Sequence, residues 1–261
     1  MPDPSQFPTV VLAAGSARDK VAAAAGLPVK ALVPLRGRPL VDYVVAAVRE
    51  ATAGPIVVAT APPAADAVAR ALGDRAQVRV AEGPRLTDTL LAGMAAFPDA
   101  PRVLLATADL PLLTPQSVRH FTDEAERTGA DVVYSVVRRE DLPGPYAAGR
   151  RLLVRLGGLR ITGGNLVSIT PVFIQRALPV VERAFVSRKN PFALAGLLGL
   201  GFLLRFLCGR LDIPTIIRRA EPILDCSAAV IVSPFPEVCF DMDKPEQLDV
   251  AERILAERDK A

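Results

Sequence analysis

The chain has 261 residues, 51% of them hydrophobic and 23% charged, the balance of a globular protein long enough for one large α/β domain. A net charge of +3 is too small to argue for nucleic acid as a partner. The three cysteines, Cys208, Cys226 and Cys239, are widely spaced with no C-x-x-C, which argues against a disulfide frame or zinc site and for reduced thiols in the cytoplasm. The N-terminal stretch MPDPSQFPTV has no basic start and no apolar core, so no secretory signal is expected in it. One histidine, His120, leaves no Ser-His-Asp set to build.

In chain order, the β-branched run Val10-Val11-Leu12 reads as a buried strand, interrupted by the small residues Ala13-Ala14-Gly15. Gly15 permits a turn with close backbone approach, and N–H groups exposed there can bind an anion. Ser16, Arg18 and Lys30 add a hydroxyl and two positive charges to the same segment, although neither G-x-G-x-x-G nor G-x-x-x-x-G-K-[ST] is present. Arg38-Pro39-Leu40 is expected to open a helix through Ala51, with Pro39 in its first turn and Leu40, Val44 and Val48 on one face. Strands at Ile56–Val58, Val78–Val80, Val103–Ala106 and Asp131–Val137 alternate with helices at about 64–72, 86–97 and 115–127. This alternation predicts right-handed βαβ units around a mostly parallel sheet. His120 falls in a predicted helix, in a surface or packing role.

Open sheets of this kind bind ligands at the carboxyl ends of their strands, which singles out Thr107-Ala108-Asp109-Leu110-Pro111. A carboxylate there is a hard ligand suited to Mg²⁺, and the competing reading is a turn residue at a strand end. Arginines crowd the stretch from Arg138 to Arg160 before Thr162-Gly163-Gly164-Asn165-Leu166. That last segment reads equally as a ligand contact or as a glycine bulge feeding a strand over 166–169. The apolar stretch from Phe192 to Leu207 has a charge-free portion, Pro191 to Leu204, that makes a helix of about 21 Å, too short for about 30 Å of bilayer hydrocarbon. A buried helical insert is favoured for it over a cover for an apolar substrate or a contact with a membrane or second subunit. Ala228–Val232 reads as a strand, and Asp241-Met242-Asp243-Lys244-Pro245-Glu246 leads into a C-terminal helix.

Together, L-A-A-G-S-x-R at Leu12 to Arg18, P-x-K-A-L at Pro28 to Leu32 and L-x-G-x-P-L at Leu35 to Leu40 resemble the opening of the MobA-like NTP transferases, with Val29 intervening where the family lysine usually follows its proline. The resemblance implies a single three-layer α/β/α Rossmann-like nucleotidyltransferase domain over residues 1–261, with a mostly parallel sheet and a helical insertion at about 185–222. Residues 1–137 would form the nucleotide-binding half and 138–261 the acceptor-binding half. It further implies that Leu12, Ala13, Ala14, Gly15 and Ser16 wrap the base and triphosphate, with Arg18 and Lys30 on phosphate oxygens. Asp109 would hold a catalytic Mg²⁺ with Asp243, or alternatively Asp241. Gly163, Gly164 and Asn165 would contact the acceptor.

The activity so implied is Mg²⁺-dependent transfer of an NMP group from an NTP, CTP or GTP ahead of the others, to a phosphorylated small-molecule acceptor, with release of pyrophosphate. An anionic nucleophile needs no general base, in keeping with the single histidine. The alternative is a nucleotide-binding regulatory or interaction protein of the same fold without transfer, against which the retained acidic positions argue. Membrane contact through 192–207 is not favoured, no nucleic acid is expected, and oligomeric state is left open.

Overall fold

The computed structural model describes residues 7–16, 18–83, 85–147, 153–187 and 211–260. The expected strands form as β1 (Thr9–Ala13), β4 (Ile56–Thr60), β5 (Gln77–Val80), β6 (Val103–Thr107), β7 (Val132–Arg138) and β10 (Ala228–Ser233). A small hairpin, β2 (Pro34–Leu35) and β3 (Arg38–Pro39), turns through Arg36 and Gly37, both at positive φ. With β8 (Val154–Leu156) and β9 (Leu159–Ile169), the main sheet has eight strands in the order β10-β7-β9-β6-β1-β4-β5, and β8 hangs on β9. The pairs β1–β4, β1–β6, β4–β5 and β7–β10 are parallel, as the strand–helix alternation predicts.

The exception is β9, which runs antiparallel to both β6 and β7. It begins at Leu159 rather than Leu166, so Thr162 to Leu166 lies inside a strand and not ahead of one. The cause is local: Gly157 and Gly158, at φ 56° and 85°, make a two-residue turn that folds β8 back onto β9.

Helices cover both faces of the sheet. On one lie α2 (Leu40–Ala51), α3 (Ala65–Leu72), α5 (Pro115–Thr128) and the C-terminal α8 (Glu246–Arg258). Leu40, Val44, Val48, Val68, Leu72, Val118, Phe121, Ala251 and Ile254 join one buried cluster with the strand residues Val11, Val58, Leu104 and Val133. On the other face α4 (Leu86–Met94) and α6 (Pro171–Ser187) bury Leu90, Met94, Phe173 and Ala177 against Val10, Val103 and Leu105. Helix α7 (Ile213–Leu224) closes a smaller cluster with Val136, Leu156 and Ile161.

Local sequence explains the better-defined boundaries. Helix α5 has Thr114 as its cap, accepting from the Ser117 N–H, then Pro115, and ends at Gly129 in the left-handed region. Pro39 flanks α2 in extended geometry, so the helix starts at Leu40. Among the described residues no helix is long and apolar enough to cross a membrane. The apolar stretch Phe192–Leu207 and the arginines Arg150 and Arg151 lie outside the described residues.

Candidate active site

Leu12 and Ala13 are the last residues of β1, paired with Thr107 of β6 and Thr60 of β4. Ala14, Gly15 and Ser16 then leave the sheet. Gly15 has φ 133°, a conformation that L side chains rarely adopt, so glycine is required at this turn. The Ser16 hydroxyl accepts from the Arg18 N–H at 3.3 Å, and the Asp19 N–H donates to the Ser16 carbonyl at 3.0 Å. Asp19 in turn caps a five-residue helix, α1 (Lys20–Ala24), accepting from the Val21 and Ala22 N–H groups.

Asp109 lies two residues beyond the end of β6. The Ala108 N–H donates to the Leu12 carbonyl at 3.1 Å, tying this turn to β1. The Met242 N–H donates to the Asp109 carbonyl at 3.2 Å, tying it to the C-terminal segment. In that segment burial alternates: Phe240 and Met242 are buried, Asp241 is half-buried and Asp243 exposed. A period of two sends both aspartates to one side. Gln247 of α8 fixes their turn, accepting from the Asp243 and Lys244 N–H groups at 2.8 Å each and donating to the Asp241 carbonyl at 3.0 Å.

Carboxylate oxygens of Asp109, Asp241 and Asp243 consequently lie within 4.8 Å of one another. Asp109 is only 9% exposed, and its Oδ1 is buried without a hydrogen-bond partner. Such an atom is costly unless a cation or donor meets it. The chemistry fits Mg²⁺, which takes oxygen ligands and few protein carboxylates.

Lys30 enters the same cluster from the start of a short 3-10 turn, Lys30–Leu32. Its Nζ is 2.6 Å from Asp109 Oδ2, 3.3 Å from Asp243 Oδ1 and 3.9 Å from Asp19 Oδ2. Burial alone would lower the ammonium pKa. The adjoining Asp109 carboxylate, with Asp243 and Asp19 behind it, outweighs burial and holds the pKa above its ordinary value, so Lys30 is charged.

The structure therefore brings Lys30, Asp109, Asp241 and Asp243 together beside the Gly15 loop. Arg18 stays outside, exposed and in no ion pair among the described residues. The segment Gly163-Gly164-Asn165 lies on β9, where both glycines have a packing reason. A Cβ on Gly163 would stand 2.4 Å from the Tyr134 hydroxyl, and one on Gly164 2.3 Å from Ser135 Oγ and 2.9 Å from Val238 Cγ1. Asn165 donates to the Val238 carbonyl at 3.4 Å. His120 packs edge-on against Phe235, the ring centroids 5.3 Å apart. Two positioning residues were missed from sequence. Asp19, directly before K-V-A-A-A, carried a visible N-cap signal. Gln247 carried only its place two residues after Pro245.

The chain matches the MobA-like NTP transferase domain over residues 9–190. It is 36% identical over 130 residues to 3-deoxy-manno-octulosonate cytidylyltransferase of Rhodospirillum centenum, covering 47% of this chain and 50% of that protein. The chain thus spans about half the length of that curated relative. Among solved structures, a hypothetical transferase from Thermus thermophilus superposes with TM-score 0.79 at 33% identity, over 93% of this chain and 99% of that one. CMP:2-keto-3-deoxy-manno-octonic acid synthetase complexed with CTP gives TM-score 0.58 at 14% identity, over 97% and 100% of the two chains, a likeness of fold. With the family match running from β1 past α6, over more than half of its residues, the chain belongs to the MobA-like NTP transferase family.

Proposed function

We propose that the protein is a Mg²⁺-dependent nucleotidyltransferase that joins the NMP group of an NTP to a phosphorylated small-molecule acceptor and releases pyrophosphate. The observation that carries this reading is the cluster of Lys30, Asp109, Asp241 and Asp243 beside the Gly15 loop, at the carboxyl ends of β1 and β6. Asp109, Asp241 and Asp243 are the residues that would hold Mg²⁺, the unpartnered Asp109 Oδ1 among their oxygens. When bound, the ion supplies charge neutralisation for the phosphates.

The chain's own groups do the rest. The loop from Leu12 to Ser16 receives the nucleotide, and Arg18 and Lys30 meet the phosphates, stabilising negative charge as it shifts towards the departing pyrophosphate. An acceptor phosphate oxygen forms the new bond to the α-phosphorus. The bond from that phosphorus to the bridging oxygen breaks, and pyrophosphate leaves with the electron pair. The attacking oxygen is already anionic, so no general base is needed, which suits a chain with one histidine. Residues 1–137 carry the nucleotide on this reading, and residues 138–261 the acceptor, beside Gly163, Gly164 and Asn165.

The named relative favours CTP over GTP as the donor. It also favours a second acceptor class, a keto-deoxy sugar acid attacking through a hydroxyl oxygen that loses its proton to solvent. The sparse, widely spaced cysteines, of which Cys226 and Cys239 are buried, support a cytoplasmic setting. The test is initial-rate pyrophosphate release with CTP and with GTP, against phosphorylated acceptors and 3-deoxy-manno-octulosonate. Asp109→Asn, Asp241→Asn and Asp243→Asn should each lose most of the rate while melting as folded proteins. A nucleotide that raises the melting temperature without any acceptor producing pyrophosphate would leave a binding protein instead.

A further inference from the structure

Lys30 occupies the place where a divalent cation is expected, with its ammonium shared among Asp109, Asp243 and Asp19. We propose that Lys30 is the built-in counter-ion of the acidic cluster, and that it keeps metal affinity low until a triphosphate draws it away. The proposal rests on the nucleotidyltransferase reading above.

The argument begins with repulsion. Three carboxylates whose oxygens lie within 4.8 Å of one another repel, and a nearby cation offsets that repulsion. Lys30 is that cation, with a side chain only 15% exposed, so solvent screens the contact weakly. It offsets the repulsion only partly, because Asp109 Oδ1 stays unpartnered. A divalent ion on the same carboxylates would meet the ammonium at contact distance. The opposing possibility is that Lys30 helps the metal by orienting its ligands, an effect worth about ten- to hundredfold in affinity. Like-charge repulsion at contact distance in a partly buried site is larger than that, so displacement wins.

Geometry supplies the second position for the lysine. Val29 Cγ2 is 3.8 Å from where a Cβ on Gly15 would stand, so the side chain of the residue before Lys30 packs against the loop assigned to the nucleotide. A four-carbon stem there can transfer its ammonium from the carboxylates to phosphate oxygens without rebuilding the sheet. Asp19, the third partner, caps α1 next to the same loop and would be released in the same movement. Metal alone must compete with Lys30, and a triphosphate alone must pull Lys30 off the aspartates. Bound together, each removes the obstacle to the other, which is positive coupling between two ligands.

The experiment titrates Mn²⁺, followed by electron paramagnetic resonance, into nucleotide-free wild type, Lys30→Met, Lys30→Gln and Lys30→Arg. Both neutral variants should bind Mn²⁺ at least tenfold more tightly than wild type, and Lys30→Arg should bind as weakly as wild type. The metal-free neutral variants should also melt lower, with a larger Mn²⁺-induced rise in Tm. Lys30→Gln keeps the test open if Lys30→Met does not fold. Equal or weaker Mn²⁺ binding by the neutral variants, in a wild type that performs transfer, overturns the counter-ion role alone. No Mn²⁺ binding by any of the proteins, with or without CTP, together with no pyrophosphate release, overturns this proposal and the reading beneath it.

Discussion

Replacing Gly164 by alanine separates a packing role from a ligand-contacting one. The new methyl would lie 2.3 Å from Ser135 Oγ and 2.9 Å from Val238 Cγ1. Neither neighbour can retreat into solvent, because Ser135 and Val238 are both 0% exposed. Ser135 Oγ also donates to the Leu166 carbonyl at 2.7 Å and accepts from the Leu166 N–H at 3.2 Å, bridging β7 to β9 where their register shifts. Overpacking costs about 1–3 kcal/mol, and a displaced Ser135 forfeits about 1 kcal/mol more. At about 2–4 °C per kcal/mol for a domain of this size, Tm should fall by roughly 5–15 °C. Gly163→Ala is the internal control: its methyl meets only the Tyr134 side chain, closest at the hydroxyl, the far end of a side chain 40% exposed. It should cost less than about 1 kcal/mol. Thermal melts of both variants, with steady-state rates beside them, decide the matter. A Gly164→Ala protein that melts like wild type but has a strongly raised KM for the acceptor would refute the packing account and give the glycine to the ligand.

Two further outcomes follow from other contacts. Asp131 accepts from the Ser227 side chain and N–H and from the Thr170 hydroxyl, and these bonds hold its pKa below the ordinary carboxylate value. Its contribution is therefore present above about pH 4, the unfolded-state pKa, and is lost as pH falls through the lower folded value, so the Tm gap between wild type and Asp131→Asn should be open at pH 6 and narrow steadily below about pH 4. Gly93 lets α4 lie close on the sheet, since a Cβ there would stand 2.3 Å from Val10 Cγ1; Gly93→Ala should cost about 1–3 kcal/mol in urea unfolding, and a companion Val10→Ala should relieve the clash rather than add its full cost.

The parallel part of the fold was legible because short runs rich in Val, Ile and Leu alternate with helical stretches at close spacing. Pro39 and Pro115 marked helix starts locally, and the structure uses both at a boundary. The antiparallel β9 was not legible in the same way. Strand direction leaves no trace in apolar periodicity, since a period of two reads alike in either sense. The one local sign was Gly157-Gly158 between Leu156 and Leu159, a two-residue turn pair that specifies a hairpin. Once β8 and β9 pair, Thr162 to Leu166 must lie in the strand, and its glycines answer to Tyr134 and Ser135.

The site divides along a different line. Asp109 could be found from its position past a buried strand, and the alternation Phe240-Asp241-Met242-Asp243 carries in its period the information that both aspartates share one side. Which cation they face could not be found that way, because Lys30, Asp109 and Asp243 come from three distant segments and meet only when the sheet is assembled. That assembly has a physical consequence. One ammonium joins the segment after β1, the end of β6 and the entry to α8, so on the proposed reading a triphosphate that drew Lys30 away would loosen a tie between the first and last parts of the chain. The backbone bond from Met242 to the Asp109 carbonyl and the Gln247 bonds around Asp241 and Asp243 do not involve Lys30. They would hold the carboxylates in place if the lysine moved, so the acidic side of the site is organised independently of its counter-ion.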